Sequence, residues 1–206
     1  MKRGITPVIA KRLATLYARM DEAYTAAADA LGLTCAGCTD NCCETFFQHH
    51  TYVEWAYLWE GLRGLPKATQ EAIREASEEW VRIHQNPMFP GMRPRVMCPL
   101  NLGAEGEGRC GLYGHRMMIC RLHGVPNQLI RPASPRNPAG AQAVFPGCDR
   151  AQELAKGAEA PMLDRTPLLT ELATLEMDFV GRERMRSLPR VDLTLAEMIL
   201  AGPPKL

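Results

Sequence analysis

The chain has 206 residues, of which 46% are hydrophobic and 23% charged, and a formal net charge of +1. This composition suits one soluble domain with its own core and excludes a disordered chain. The near-neutral charge excludes the general attraction to nucleic acid or anionic membrane that a basic protein has.

The N-terminal residues lack the continuous apolar run of a secretory leader. No stretch approaches the roughly 18 uninterrupted apolar residues of a membrane helix. The expected compartment is therefore the cytoplasm, where thiols stay reduced and clustered cysteines point to metal or redox chemistry rather than to disulfides. Thr6-Pro7 supplies a hydroxyl N-cap and a proline at the first helical position. Leu13, Leu16, Tyr17, Met20 and Tyr24 then recur at spacings of three and four, which predicts one amphipathic helix ending at Gly32. The loop from Thr34 to Cys43 follows. Thr51-x-x-Glu54 reads as a capping box, predicting a second helix from Tyr52 to about Leu62 with Val53, Trp55, Leu58 and Trp59 on its apolar side. A third helix is predicted from Pro66 to about Gln85, carrying Ile73, Trp80, Val81 and Ile83.

Residues 86–95 read as a loop. Met97–Leu102 and Arg109–Tyr113 read as short extended pieces, joined as a hairpin by the Gly-rich turn from Gly103 to Gly108. A short helix is expected near His115–Arg121. Residues 124–148 contain five prolines and are expected to be irregular, with Cys148 as an anchor. Thr166-Pro167 starts a helix to about Arg182, and Thr194-x-x-Glu197 caps a last short one. The predicted fold is mainly α: a helical domain with cysteine-bearing loops and one small β-hairpin around a metal site. A single domain is expected over 1–206. It comprises an N-terminal helix (6–32), a cysteine-cluster metal-binding core (35–150) and a helical extension (151–206). No βαβ rhythm is present, which argues against a nucleotide-binding α/β enzyme.

Eight cysteines carry the chemistry. Cys35-x2-Cys38 lets two sulfurs converge on one centre from a single turn, and Gly37, Asp40 and Asn41 supply turn residues before Cys42-Cys43. Cys98, Cys110, Cys120 and Cys148 each lie beside Gly, Pro or Arg. A buried cysteine is also an ordinary small hydrophobe, which weighs more against any one of these four than against the leading group. All eight are candidate metal ligands. A second C-x2-C knuckle is missing, so the pattern favours an iron–sulfur cluster of the 4Fe–4S type, with zinc as the alternative. Adjacent side chains diverge, so Cys42 and Cys43 either serve different irons or one of them is spare. The partition into one site or two stays open.

From Phe89 to Arg136 there are seven arginines, no lysine, and only Glu105 and Glu107 as acids. Four-thiolate zinc and oxidised 4Fe–4S sites both carry a net charge of about −2, which such cations offset. A solvated basic loop explains the run equally well. Arg116 and Arg121 bracket Cys120 and are the candidates for contacts around the bound group, with the Tyr113 hydroxyl as a possible donor. His49, His50 and His123 are candidate auxiliary ligands by proximity, although a surface or hydrogen-bonded histidine is the more ordinary reading. Trp55, Tyr57, Trp59 and Trp80 read as core.

The cysteine pattern resembles the bacterial YkgJ-type CxxCxxCC family, described as a zinc- or iron-chelating domain. Its leading cluster matches Cys35, Cys38, Cys42 and Cys43, with one extra residue in the second gap, and its acidic residue in the following helix matches Glu54. Its later signature aligns with Cys98, Leu100, Cys110, Tyr113, Arg116, Cys120 and Arg121, with Met117 where the family has proline. The match spans about residues 35–125. It implies metal binding rather than a defined activity. Flagellin lysine N-methylases contain a similar cysteine domain with an iron–sulfur cluster, which implies methyl transfer as one conceivable activity; no methyl-donor pocket is recognisable in this sequence. Three readings follow. One is an iron–sulfur protein with a redox, metal-handling or accessory role and a protein or redox partner. The others are a structural zinc module for partner interaction and a cluster-dependent, methyltransferase-like enzyme. Whether the chain is an enzyme stays open.

Overall fold

The computed structural model describes residues 4–36, 42–85, 91, 93–103, 109–133, 138–156 and 161–206. Cys38, Arg136, Glu105, Glu107, most of the Gly-rich turn (104–108) and residues 86–90 and 92 lie outside them. Among the described residues the fold is mainly α, with eight α-helices and one small sheet.

The first helix, α1 (Pro7–Leu31), is built as its spacing predicts. Thr6 Oγ1 accepts from the Ile9 N–H at 3.4 Å, and the helix buries Leu13, Leu16, Tyr17 and Met20. Gly32 closes it at φ 67°, and its N–H bonds to the carbonyls of Ala28 and Asp29. The left-handed conformation makes glycine the natural residue there.

The second helix, α2 (Tyr52–Gly64), begins differently from expectation. The Thr51 hydroxyl donates to Glu54 Oε2 at 2.7 Å and makes no bond to the helix backbone. The free N–H groups of Tyr52 and Val53 are instead met by the carboxylate of Glu176, at 2.8 and 2.7 Å. A carboxylate at a helix N-terminus satisfies orphan donors and complements the helix dipole. Burial raises the Glu176 carboxyl above the ordinary range, against these two backbone bonds, which pull it down.

Helix α3 (Lys67–Gln85) follows, with Ile73, Ser77 and Trp80 buried. The extended pieces around Cys98 and Cys110 meet in one bridge, Asn101↔Cys110, rather than in a ladder of strands. They are held by Leu102 N–H to Arg109 O at 2.8 Å and Gly111 N–H to Leu100 O at 2.7 Å. A Cβ on Gly111 would sit 2.2 Å from Leu102 Cδ1, so a larger residue there would displace the exposed Leu102 side chain.

After a 3-10 turn at Tyr113–His115 comes α4 (Met118–Leu122). The segment expected to be irregular is corrected here: it contains β1 (Asn127–Arg131) and β2 (Ala141–Phe145), paired antiparallel from Asn127↔Phe145 to Arg131↔Ala141. Pro126, Pro132, Pro138 and Pro146 flank these strands without entering them, so the prolines bound the hairpin rather than prevent it. Helix α5 (Asp149–Leu154) leads to β3 (Leu163–Asp164), which pairs parallel to β1 and gives the order β2-β1-β3. Then come α6 (Thr166–Val180), α7 (Arg184–Ser187) and α8 (Leu195–Ala201). The capping box of Thr194 and Glu197 forms as the sequence predicts.

Two groups of buried side chains form the core. One surrounds α1 and includes Leu13, Leu16, Val53, Leu122, Leu172 and Leu175. The other lies between α2, α3 and α8 and includes Leu58, Leu62, Ile73, Met117 and Met198. Trp80 and Tyr57 are buried. Trp55 and Trp59 are half-buried, and both indoles donate to Met198 O at 3.1 Å.

Glu54, only 4% exposed, accepts from Tyr17 Oη at 2.9 Å, Thr51 Oγ1 at 2.7 Å and Met118 N–H at 2.7 Å, which joins α1, α2 and α4. No described helix is long and apolar enough to cross a membrane. Glu54→Ala strands the Tyr17 hydroxyl and the Met118 N–H in a buried setting and is expected to cost about 3 kcal/mol. Tyr17→Phe, which removes one neutral partner, should cost only about 1 kcal/mol. Urea unfolding checks the order, and a Glu54→Ala midpoint equal to that of the parent would refute it.

Candidate metal centre

Backbone hydrogen bonds bring the cysteines together. Cys42 and Cys43 sit in a 3-10 turn, Cys42–Glu44, and the Cys43 carbonyl accepts from the Cys98 N–H at 2.8 Å. Three residues on, Asn101 N–H bonds back to Cys98 O at 2.9 Å, and the Asn101↔Cys110 bridge draws in the next thiol. The Asn101 side chain holds the crossing by accepting from Arg109 N–H at 2.7 Å. Cys120 comes from α4, whose first N–H, that of Met118, is fixed by Glu54.

Cys42, Cys43, Cys98, Cys110 and Cys120 line one cavity of about 110 Å³. The seven described cysteines are all free thiols. Cys35, exposed, and Cys148, half-buried, are not among its lining residues and instead neighbour Tyr24 of α1. Cys38 lies outside the described residues.

Four of the five cavity thiols are held against ionisation, and Cys43 is not. Burial pushes the Cys98 thiol up to about 12 and raises Cys110 and Cys120 as well. Cys42 hydrogen-bonds to Cys43, which raises Cys42 and lowers Cys43. The Arg116 guanidinium works in the opposite direction to burial at Cys42, Cys110 and Cys120. Buried thiols of this kind become good ligands when a bound cation replaces their protons.

The two arginines that bracket Cys120 differ in their surroundings. Arg121 is 4% exposed and donates to the carbonyls of Arg116 at 2.8 Å and Gly114 at 2.8 Å, pairs with Asp21, and lies 4.2 Å from the centre of the Tyr17 ring. Its donors brace the loop ahead of α4. Arg116 lines the cavity, stacks 3.7 Å over the Tyr113 ring, and comes within 3.9 Å of Asp21. Its buried Nε has no hydrogen-bond partner among the described residues. Tyr113 lines the same cavity and is largely exposed.

Of the three histidines considered, His49 and His123 line the cavity. His50 points elsewhere, 3.4 Å from Asp192 and from Val191 O. His49 is 3% exposed, and its Nε2 has no partner among the described residues. Its backbone bridges to Leu193, which pins it between the cysteine loop and the start of α8. His123 packs edge-on against Phe47, with ring centres 4.9 Å apart. His115, which the sequence reading did not single out, also lines the cavity and lies against the Tyr57 ring at 4.4 Å.

No three His, Cys, Asp or Glu side chains among the described residues form a group that could hold a single metal ion as they stand. The donor chemistry fits a thiolate-ligated centre: soft sulfur ligands around a void, with a guanidinium beside them.

No protein-family model, curated protein or solved structure matches the chain. The resemblance in cysteine spacing therefore rests on the residues that carry it.

Asp21, Tyr17 and Tyr24 were missed as site residues because α1 lies before the cysteine run. The signal was present as polar groups at positions 17, 21 and 24 beside an apolar helix stripe, a spacing of four and three. Glu176 left no local signal, because it caps a helix 124 residues away in sequence.

Burial holds the His49 imidazole down to about 3, far below its ordinary 6.5. Its contribution to stability is complete above about pH 6.5 and is lost as pH falls from there toward 3, by about 1.4 kcal/mol per pH unit. His49→Leu should flatten the fall in unfolding free energy between about pH 6.5 and 5 relative to the parent. An unchanged slope would show that His49 does not bury a neutral ring.

Proposed function

We propose that the chain is an iron–sulfur protein whose thiolates hold a 4Fe–4S cluster in a helical shell, with a redox, metal-handling or accessory role in the cytoplasm. One observation carries this reading: five thiols are among the residues lining a single cavity of about 110 Å³, with Arg116 beside them. A single tetrahedral zinc, with sulfurs at about 2.3 Å, closes its ligands onto itself and needs no void. A water molecule needs only about 10–15 Å³ of such space, so the cavity has room for a polynuclear group.

Cys43, Cys98, Cys110 and Cys120 are the residues that would hold the cluster. When bound, it would supply one-electron exchange. The chain's own residues exclude water and offset charge. Arg116 faces the thiols as a cation, and Met117 and Leu100 close the apolar side. The largely exposed Tyr113 leaves an edge where a redox partner could approach. The spacing of Cys35, Cys38, Cys42 and Cys43 and of the later signature supports placing the chain with the YkgJ-type cysteine-cluster proteins.

Protein purified without oxygen should be brown and contain iron and acid-labile sulfide, and Cys98→Ser, Cys110→Ser and Cys120→Ser should each lose both. Colourless protein carrying zinc would favour the structural zinc module instead. Metal content unchanged in all three variants would end the metal-site reading. Arg116→Leu should keep its iron yet show a lower midpoint potential, because a cation beside a cluster favours the added electron. Protein-film voltammetry reads that shift.

A further inference from the structure

We infer that β2 is a dimerisation edge: two copies of the chain join by antiparallel pairing of their β2 strands about a two-fold axis through Ala143. The inference is independent of the iron–sulfur reading, since no residue of β2 lines the thiol cavity.

The backbone decides which groups of β2 can pair. β1 lies between β2 and β3. On its β3 side, Gln128 O accepts from Arg165 N–H at 3.0 Å, and Ile130 N–H donates to the Thr166 hydroxyl at 2.8 Å. In a strand the N–H and C=O of one residue point the same way, and those of the next residue point the opposite way. Asn127, Leu129 and Arg131 therefore direct theirs toward β2, where they face Phe145, Ala143 and Ala141. That leaves the backbone groups of Gln142 and Val144 aimed away from β1. The edge they reach has no neighbouring strand among the described residues.

The occupant is a second copy because this edge is complementary to itself. Gln142 and Val144 sit symmetrically on either side of Ala143. A two-fold axis through Ala143 sets Gln142 of each copy opposite Val144 of the other. Each such pair exchanges both N–H···O bonds, as in the hydrogen-bonded pairs of an antiparallel ladder. At the axis Ala143 meets its own copy in a non-hydrogen-bonded pair, where Cα atoms approach to about 4.5 Å and a small side chain fits. Ala141 then faces Phe145 of the other copy, small against large. No like charges meet, because β2 holds no charged residue.

That lack of charge is itself informative. Exposed edges are ordinarily blunted by lysine, proline or a bulge within the strand. All five residues of β2 are exposed, with Val144 at 54% and Phe145 at 39%, and none is a lysine or proline. Pro146, directly after the strand, has no N–H to extend the ladder. The opposite edge of the sheet, β3, is only two residues long and includes Asp164. Pairing through β2 therefore closes at two copies instead of growing into a fibre. A five-residue strand spans about 17 Å, so the dimer is small and depends on concentration.

The test is sedimentation velocity of reduced, full-length protein up to about 1 mM, where even a weak strand pair assembles. The parent should pass from monomer to dimer with rising concentration and go no further. Ala143→Lys sets two like charges face to face and should weaken the dimer about tenfold or more. Its circular dichroism and thermal unfolding in dilute solution should match the parent. Under mild oxidant, Ala143→Cys should add a cross-linked dimer beyond what the parent's own cysteines give, because directly opposed residues lie within disulfide range. Ala141→Cys, exposed on the same face, should add none, since Phe145 stands opposite it. Hydrogen exchange of the Gln142 and Val144 amides should slow at high concentration far more than that of Ala141, Ala143 and Phe145.

A monomer throughout the concentration range overturns the proposal. So does a dimer that Ala143→Lys leaves intact, which would use another surface. Equal cross-linking through Ala143→Cys and Ala141→Cys overturns the register, as does dimer formation without added protection at Gln142 and Val144.

Discussion

The buried carboxylate of Glu54 sets the relation between the helices on which the thiol site depends. One oxygen accepts from both the Tyr17 hydroxyl and the Met118 N–H, and the other from Thr51. Met118 is the first residue of α4 and Cys120 is the third. The position of that thiol is therefore fixed by a charge–dipole contact made two residues earlier. The same carboxylate orients Tyr17, over whose ring Arg121 lies, and Arg121 in turn braces the carbonyls of Gly114 and Arg116. A buried acid is costly unless its lone pairs are met. Here meeting them also builds the wall of the cavity.

The thiols are positioned in two different ways. Cys43 sits in a 3-10 turn and Cys98 and Cys110 on the segments around the Asn101 bridge, with backbone hydrogen bonds that cross from one segment to the next. Cys120 belongs to a helix one and a half turns long, which a single N-terminal contact can rotate. Backbone crossings fix distance, whereas a short helix fixes direction. Together they bring side chains from four separate segments to the lining of one cavity without a surrounding sheet, which explains why a small helical protein can present so many sulfurs inward.

The helices were legible because their signals are local. Thr6-Pro7, Gly32 and the Thr194–Glu197 box are decided by neighbouring residues, and each forms as read. Thr51-x-x-Glu54 has the same spacing but a different outcome. Glu54 is drawn into the core by Tyr17 and Met118, so a remote acid, Glu176, caps the helix instead. The β1–β2 hairpin was hidden for another reason. All five residues of β2 are exposed, so no apolar alternation marks it, and the prolines that mark its ends also mark a loop. The cysteines themselves were legible as candidate ligands by type and spacing. Which of them face one another was not, because that depends on contacts with α1 and α4 that no local pattern records.

The N-terminal helix is therefore part of the site, although the cysteine pattern begins after it. Tyr17, Asp21 and Tyr24 fall along one side of α1, within reach of Arg121, Arg116 and Cys35 respectively. Asp21 faces two guanidiniums, so the three groups together leave one positive charge beside the thiols. A four-thiolate cluster carries about −2 when oxidised and gains a further negative charge on reduction. Two uncompensated arginines would hold such a centre more firmly and favour its reduced form more strongly. One carboxylate on α1 moderates both effects. Asp21 thus sets how much of the arginine charge reaches the sulfurs, and it does so from a helix that contributes no thiol.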